Sequence, residues 1–208
     1  MESLSPTQCQ EMLVAVADAI IAAEPELSQA DRDLGDGDHG LGMQRGMTAA
    51  KEALAQDFDT VDQPFTAVGK AMMSSMGGAS GVVFGTLFRA TGRALKGDRT
   101  LTARGLAEGL AAACSAISDR GGAKPGDKTM LDALAPAAEK AAEVSESPIS
   151  QALAIAAEAA TAGAEASKAL IATTGRAKTL GERCLGLPDP GALSVALILR
   201  SMSSYAGN

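Results

Sequence analysis

The chain is poor in aromatic residues: no tryptophan, one tyrosine, four phenylalanines. It is also acidic, with a formal net charge of −7. A nucleic-acid surface asks for a basic patch and often for stacking platforms, so both scarcities argue against that class of partner. Any bound phosphate must instead be neutralised locally, by metal or by a few cations. The three cysteines, Cys9, Cys114 and Cys184, are odd in number, widely spaced and outside any pairing motif. They read as reduced core thiols of a cytoplasmic protein. No uncharged apolar run approaches a membrane span. Met1-Glu2-Ser3-Leu4 carries neither a basic region nor an apolar stretch, so no leader peptide is expected.

The chain has 208 residues, of which 46% are hydrophobic, enough for a real core. One domain over 1–208 is expected. The periodicity is helical nearly throughout. Ser5-Pro6-Thr7-Gln8 has the form of a capping box, with Pro6 at the first helical position. Leu13, Val16, Ala17, Ile20 and Ile21 then share one helix face, and Pro25 is read as the end of that helix. A second helix is expected from about His39 to Gln56, and a third from Pro64 to Met76. Phe84, Leu87, Phe88, Thr91 and Leu95 mark a fourth, and Thr102 caps a fifth that reaches about Arg120. A sixth starts at Thr129–Asp132, with Pro136 as a kink. The seventh runs from about Ser150 to Thr173, and the last from Asp189-Pro190-Gly191 to Leu199. The expectation is all-α: eight helices with short connections, and no convincing strand.

Asp31 to Gly40 packs four carboxylates, three glycines and the only histidine into ten residues. Carboxylates this close repel unless something positive sits among them, and hard oxygen donors without thiolates suit Mg²⁺ or Ca²⁺. An EF-hand beginning at Asp31 fails, because Asp36 and Gly42 stand where it needs Gly and Glu. Gly35 to Gly40 satisfies G-x-G-x-x-G, but no apolar strand leads into it and its variable positions set carboxylates against a pyrophosphate. Two readings stay open at this point, a divalent-metal loop and a solvated turn with capping aspartates.

Three further loops are richer than connectors need be. Gly77-Gly78-Ala79-Ser80-Gly81 lies before a helix, where exposed amides and the helix dipole suit an anion. Gly121 and Gly126 have P-loop spacing, but Asp127 interrupts the pattern and no strand precedes it. Arg176 and Arg183, in the stretch ending at Asp189-Pro190-Gly191, are phosphate-compatible cations. In an up-and-down bundle alternate loops share an end, which puts these three and the acidic loop together. Carboxylates would there hold one or two Mg²⁺, glycine-loop amides and Ser80 would bind phosphates, and Met130 or Leu41 would pack on a base.

These loops resemble the L subunit of dihydroxyacetone kinase. The resemblance rests on Asp31–Gly46, Gly77–Phe84, Lys124–Asp132, Gly175-Arg176-Ala177, Leu180–Arg183 and Asp189–Ala192. It implies a barrel of eight antiparallel helices with the nucleotide site formed by loops at one end. It further implies that Asp31, Asp36 and Asp38 ligate two Mg²⁺. ADP or ATP would lie near His39, Gly40, Leu41, Gly42, Ala79, Ser80, Gly121, Met130, Arg176, Asp189, Pro190 and Gly191. Asp33 falls where the family requires no ligand. The family commonly has Asn at Gly42, Ser-Tyr at Lys178-Thr179, and His near Leu187. Its acceptor sugar is held by a separate K subunit, and some relatives have bound ADP rephosphorylated by a phosphotransferase-system subunit. The resemblance therefore implies a cytoplasmic kinase subunit that needs a K-type partner. A non-catalytic regulatory subunit and a kinase for another ketose or sugar alcohol are the alternatives.

Overall fold

The computed structural model describes residues 1–207. Those residues form nine α-helices: α1 (Pro6–Ala22), α2 (Glu24–Leu34), α3 (His39–Ala53), α4 (Asp62–Ser75), α5 (Gly78–Ala94), α6 (Ala103–Gly121), α7 (Leu131–Glu143), α8 (Ile149–Ala166) and α9 (Pro190–Gly207). Two 3₁₀ segments, Ser167–Ala169 and Arg176–Cys184, lie between α8 and α9. No strand forms among the described residues. One antiparallel bridge joins Leu4 to Leu101.

Eight of the nine helices close a ring. Each of α3 to α8 packs on its successor, α9 returns to α1, and α1 packs on α3. The remaining helix, α2, lies outside this sequence of neighbours and rests on α3 and α9. The all-α, eight-helix, up-and-down barrel expected from the sequence is therefore what the chain adopts.

The starts of the odd and even connections separate cleanly. At one end, Leu4 and Leu101 exchange backbone bonds of 3.0 and 2.8 Å, Val61 N–H donates to Asp98 O at 2.9 Å, and Ile149 N–H donates to Glu2 O at 3.1 Å. These clip together the entries to α1, α4, α6 and α8. Ser5 and Gln8 complete the expected capping box there, and Thr102 caps α6. The entries to α3, α5, α7 and α9 belong to the opposite end.

Pro25 starts a helix instead of ending the chain's helical run. Its missing N–H falls in the first turn of α2, where no intrahelical bond is due. Glu24 and Glu26 in that turn complement the helix dipole. The break from α1 is the single residue Ala23. At the other extreme, α8 ends at Ala166 rather than Thr173, and α9 runs on to Gly207 rather than stopping at Leu199.

One apolar cluster fills the ring, and its two halves differ in filling. On the α7–α8 side most buried residues are alanines, among them Ala133, Ala137 and Ala141 on α7 and Ala152, Ala156, Ala160 and Ala164 on α8, with Leu131, Leu134, Ile149 and Leu153 between them. On the α3–α5 side Met43, Met47, Met72, Phe84 and Phe88 are almost fully buried. Each such large side chain contributes about 1.5–3 kcal/mol by leaving water. Pro136 lies inside α7, as expected. All three cysteines are free, and no described helix is long and apolar enough to cross a membrane.

Candidate functional site

Gly35 to Asp38 links α2 to α3 and folds three carboxylates together. One oxygen each from Asp31, Asp36 and Asp38 lies within 4.8 Å of the other two. Asp31 is in the last turn of α2, where the dipole opposes a negative charge. Its Oδ2 accepts the His39 N–H at 3.1 Å, so it spans from one helix to the start of the next. Asp38 stands at the N-cap of α3, yet its side chain makes no cap hydrogen bond. Capping therefore accounts for Asp31 in part and for Asp38 not at all. An all-carboxylate donor set of this spacing, with Asp36 and Asp38 exposed, fits a hard divalent cation such as Mg²⁺. Asp33 points elsewhere and bonds Gln29.

The chain brings the other loops to the same place. Arg176 forms an ion pair with Asp36, crossing from the α8–α9 connection to the acidic loop. This exposed pair adds little stability, and its value is the position it gives the guanidinium. Arg45 of α3 donates to Met76 O at 3.0 Å, at the entry to the glycine loop. Gly191 backs onto Met130, where an added Cβ would come within 3.2 Å of the Met130 Cβ. Asp127 accepts from Thr173 Oγ1 at 2.5 Å, joining the α6–α7 loop to the α8–α9 connection.

Gly77 sits at the N-cap of α5 with a φ of 74° and no side-chain cap. Its left-handed backbone is natural only to glycine. The amides of Gly78, Ala79 and Ser80 thus open α5 without an internal partner, as an anion site requires. Gly121 is the exposed last residue of α6, followed by the left-handed Gly122. Leu41 is 48% exposed on the first turns of α3, while Met130 is buried.

His39 faces the barrel interior rather than the carboxylates. It is buried, with Nε2 at 2.8 Å from Ser194 Oγ and its ring 5.7 Å from that of Phe84. Burial holds its basicity below the usual imidazole range, against the opposing charge of Asp31. Gly40 explains why α2 and α3 approach so closely. A Cβ there would come within 2.4 Å of Glu24 O and Ser28 Oγ. Asp189 caps α9, accepting the Ala192 N–H at 2.8 Å. Burial pushes its carboxyl up to about 7, although the amide bonds pull the other way.

Several contributors were not read from the sequence. Lys128 is buried with its ammonium on two backbone carbonyls. Leu34, Ala172 and Cys184 form a second, smaller core beneath the Arg176 segment. Ser194 had no signal at all, being one more small residue on an apolar helix.

The DAK2 domain model matches residues 33–204 of this chain. The D-erythrulose kinase of Mycolicibacterium smegmatis is 40% identical over 91% of this chain, which spans 33% of that protein. The ADP-binding subunit DhaL of the PEP-dependent dihydroxyacetone kinase of Escherichia coli is 35% identical, over 98% of this chain and 99% of its own length. The crystal structure of the C. freundii dihydroxyacetone kinase with AMP-PNP and Mg²⁺ superimposes with a TM-score of 0.72. It is 28% identical over 94% of this chain and 33% of its own. The chain thus spans about a third of the larger kinases and nearly all of the ADP-binding subunit.

Proposed function

The chain belongs to the DAK2-domain family of dihydroxyacetone-kinase L subunits, and from that premise we propose that it binds ADP or ATP with Mg²⁺ and donates a phosphoryl group. The acceptor is a small ketose held by a separate K-type chain. The observation that carries this reading is the carboxylate trio with Arg176 against it, at the end where α3, α5, α7 and α9 begin.

In this reading residues 1–208 form one nucleotide-binding domain. Asp31, Asp36 and Asp38 hold the metal, in a set large enough for two ions. Bound Mg²⁺ would neutralise phosphate charge and orient the terminal phosphoryl. The amides of Ala79 and Ser80 at the head of α5 donate to phosphate oxygens, with the dipole adding to the attraction. Arg176 supplies a bidentate cation for the same group. Leu41 offers exposed apolar surface for a base, Met130 backs the site from beneath Gly191, and His39 to Gly42, Gly121 and Asp189 to Gly191 shape the walls. His39 acts through its position, joining α3 to Ser194 of α9, not as a proton carrier.

The lone histidine is buried and committed, which supports an acceptor site on another chain. A phosphotransferase-system subunit that rephosphorylates bound ADP is a compatible source of phosphoryl groups, as is exchange for ATP. A cytoplasmic setting suits both. A second reading concerns the acceptor: the 40% identity to part of a D-erythrulose kinase puts a four-carbon ketose beside dihydroxyacetone as a candidate.

The test is reconstitution with a K-type partner. Phosphorylation of a ketose should require both chains and Mg²⁺, and Asp36→Asn should abolish it. Consumption of nucleotide with erythrulose but not dihydroxyacetone would select the second reading. No consumption with any ketose, with nucleotide still bound, would leave a regulatory binding subunit as the better account.

A further inference from the structure

Lys128 has two properties that a turn residue does not need. Its φ is 60°, and among the described residues no other non-glycine has a positive φ. Its side chain is also buried, at 2% exposure. A turn with this backbone is met more easily by glycine or asparagine, so the lysine side chain must do something they cannot. Strained backbone retained at a site is a pointer to a role there.

The ammonium donates to Ser167 O and to Leu187 O, each at 2.6 Å. These two carbonyls flank residues 168–186 and form the feet of the connection between α8 and α9. The feet meet directly as well, since Gly186 N–H donates to Lys168 O at 2.8 Å. The stretch is therefore a closed loop, with ends together and its own small core of Ala172 and Cys184 against Leu34. Ser167 is the C-cap of α8, where the dipole favours a cation. Its hydroxyl in turn accepts the Asp189 N–H at 2.9 Å, at the head of α9. Lys128 makes no ion pair among the described residues. Burial lowers its basicity, with Cys184, Asp189 and Asp132 opposing that trend.

We propose that Lys128 is a positioning residue: its ammonium clasps both feet of the 168–187 loop, and so fixes Arg176 beside Asp36 and Asp189 at the head of α9. The inference rests on the nucleotide-binding reading above and adds a residue to it. Lys128 touches neither the carboxylates nor Arg176. It acts on them through the loop it closes.

Three variants separate this role from simple support of the fold. Lys128→Met removes the ammonium and keeps the backbone strain. Lys128→Gly removes both, so it is the variant that folds most readily. Lys128→Arg keeps a buried cation with several donors. Amide exchange of the unliganded chain and calorimetric titration with Mg²⁺–ADP are the two readouts. In the Met and Gly variants exchange should rise about tenfold or more within 168–189, with the ring helices unchanged. Their dissociation constants for Mg²⁺–ADP should rise about tenfold or more, and the Arg variant should recover most of both. Unchanged exchange in 168–189 would overturn the proposal. So would loss of protection spread over the whole ring, an Arg variant as defective as Met, or a loosened loop with unaltered nucleotide affinity. Failure of the wild-type chain to bind Mg²⁺–ADP would instead overturn the nucleotide reading, while the exchange map still decides the clasp.

Discussion

Asp38 occupies the N-cap of α3 without capping it, and Asp31 carries its charge at the wrong end of α2 for the helix dipole. A carboxylate placed against the helix dipole, as Asp31 is, is tolerated where it binds something, and Asp38 keeps its oxygens free of the cap for the same use. Asp36→Asn should leave the helical circular dichroism intact and abolish measurable binding of Mg²⁺–ADP in calorimetry. Gly40→Ala tests packing at the same corner. Its Cβ would meet the Glu24 carbonyl at 2.4 Å, and backbone cannot swing aside. A loss of about 1–3 kcal/mol in denaturant unfolding is expected. Asp189 gives a pH signature. Its folded carboxyl titrates near 7, above its usual range, so the folded chain holds that proton more tightly than the unfolded one. The stabilisation from this proton is full below about pH 4 and is lost as pH rises to about 7. The melting temperature of wild type relative to Asp189→Asn should fall across that window and level off above it. The carboxylates and glycines were legible because they are chemically conspicuous and adjacent in sequence. Lys128 was not, since a backbone angle and two carbonyl partners 39 and 59 residues away leave no local mark.

At the scale of elements, the misread boundaries have two causes. A proline is compatible with a helix start as well as a helix end, and Pro25 was read the second way. The alanines after Ala166 keep a helical rhythm, but tertiary contacts decide there: Leu170 to Cys184 turns back to pack on Leu34 and to pair with Asp127. Leu34 joins the two elements that carry the site, α2 with Asp31 and the loop with Arg176. Leu34→Ala should cost about 2–5 kcal/mol if the small core unfolds with the ring. If it opens alone, as a loop with a separate core should, amide exchange will rise in 168–189 while the melting temperature of the ring moves little.

For the molecule as a whole, an up-and-down bundle was legible because eight helical stretches with short connections leave few alternatives to antiparallel neighbours, and its form as a barrel came with the family resemblance. The extra helix α2 does not disturb that logic. It lengthens the first connection at the end where α3, α5, α7 and α9 begin, so alternate loops still meet there. What sequence patterning could not supply was ring closure by α9 on α1, nor the division between an alanine-packed and a methionine–phenylalanine-packed half. Both depend on contacts between residues far apart in the chain.

The central claim is that this end of the barrel is one metal-dependent nucleotide site. Its most direct test is the melting temperature of the chain with ADP and Mg²⁺, with ADP and EDTA, and with neither, in wild type and Asp36→Asn. Ligand at a hundredfold over its Kd adds about 2.7 kcal/mol, a rise of about 5–11 °C for a domain of this size. The account predicts that rise in wild type with Mg²⁺, its loss with EDTA, and no rise in the variant. A rise that survives EDTA or the Asp36 substitution would contradict it, as would none in wild-type protein stripped of nucleotide by denaturation and refolding.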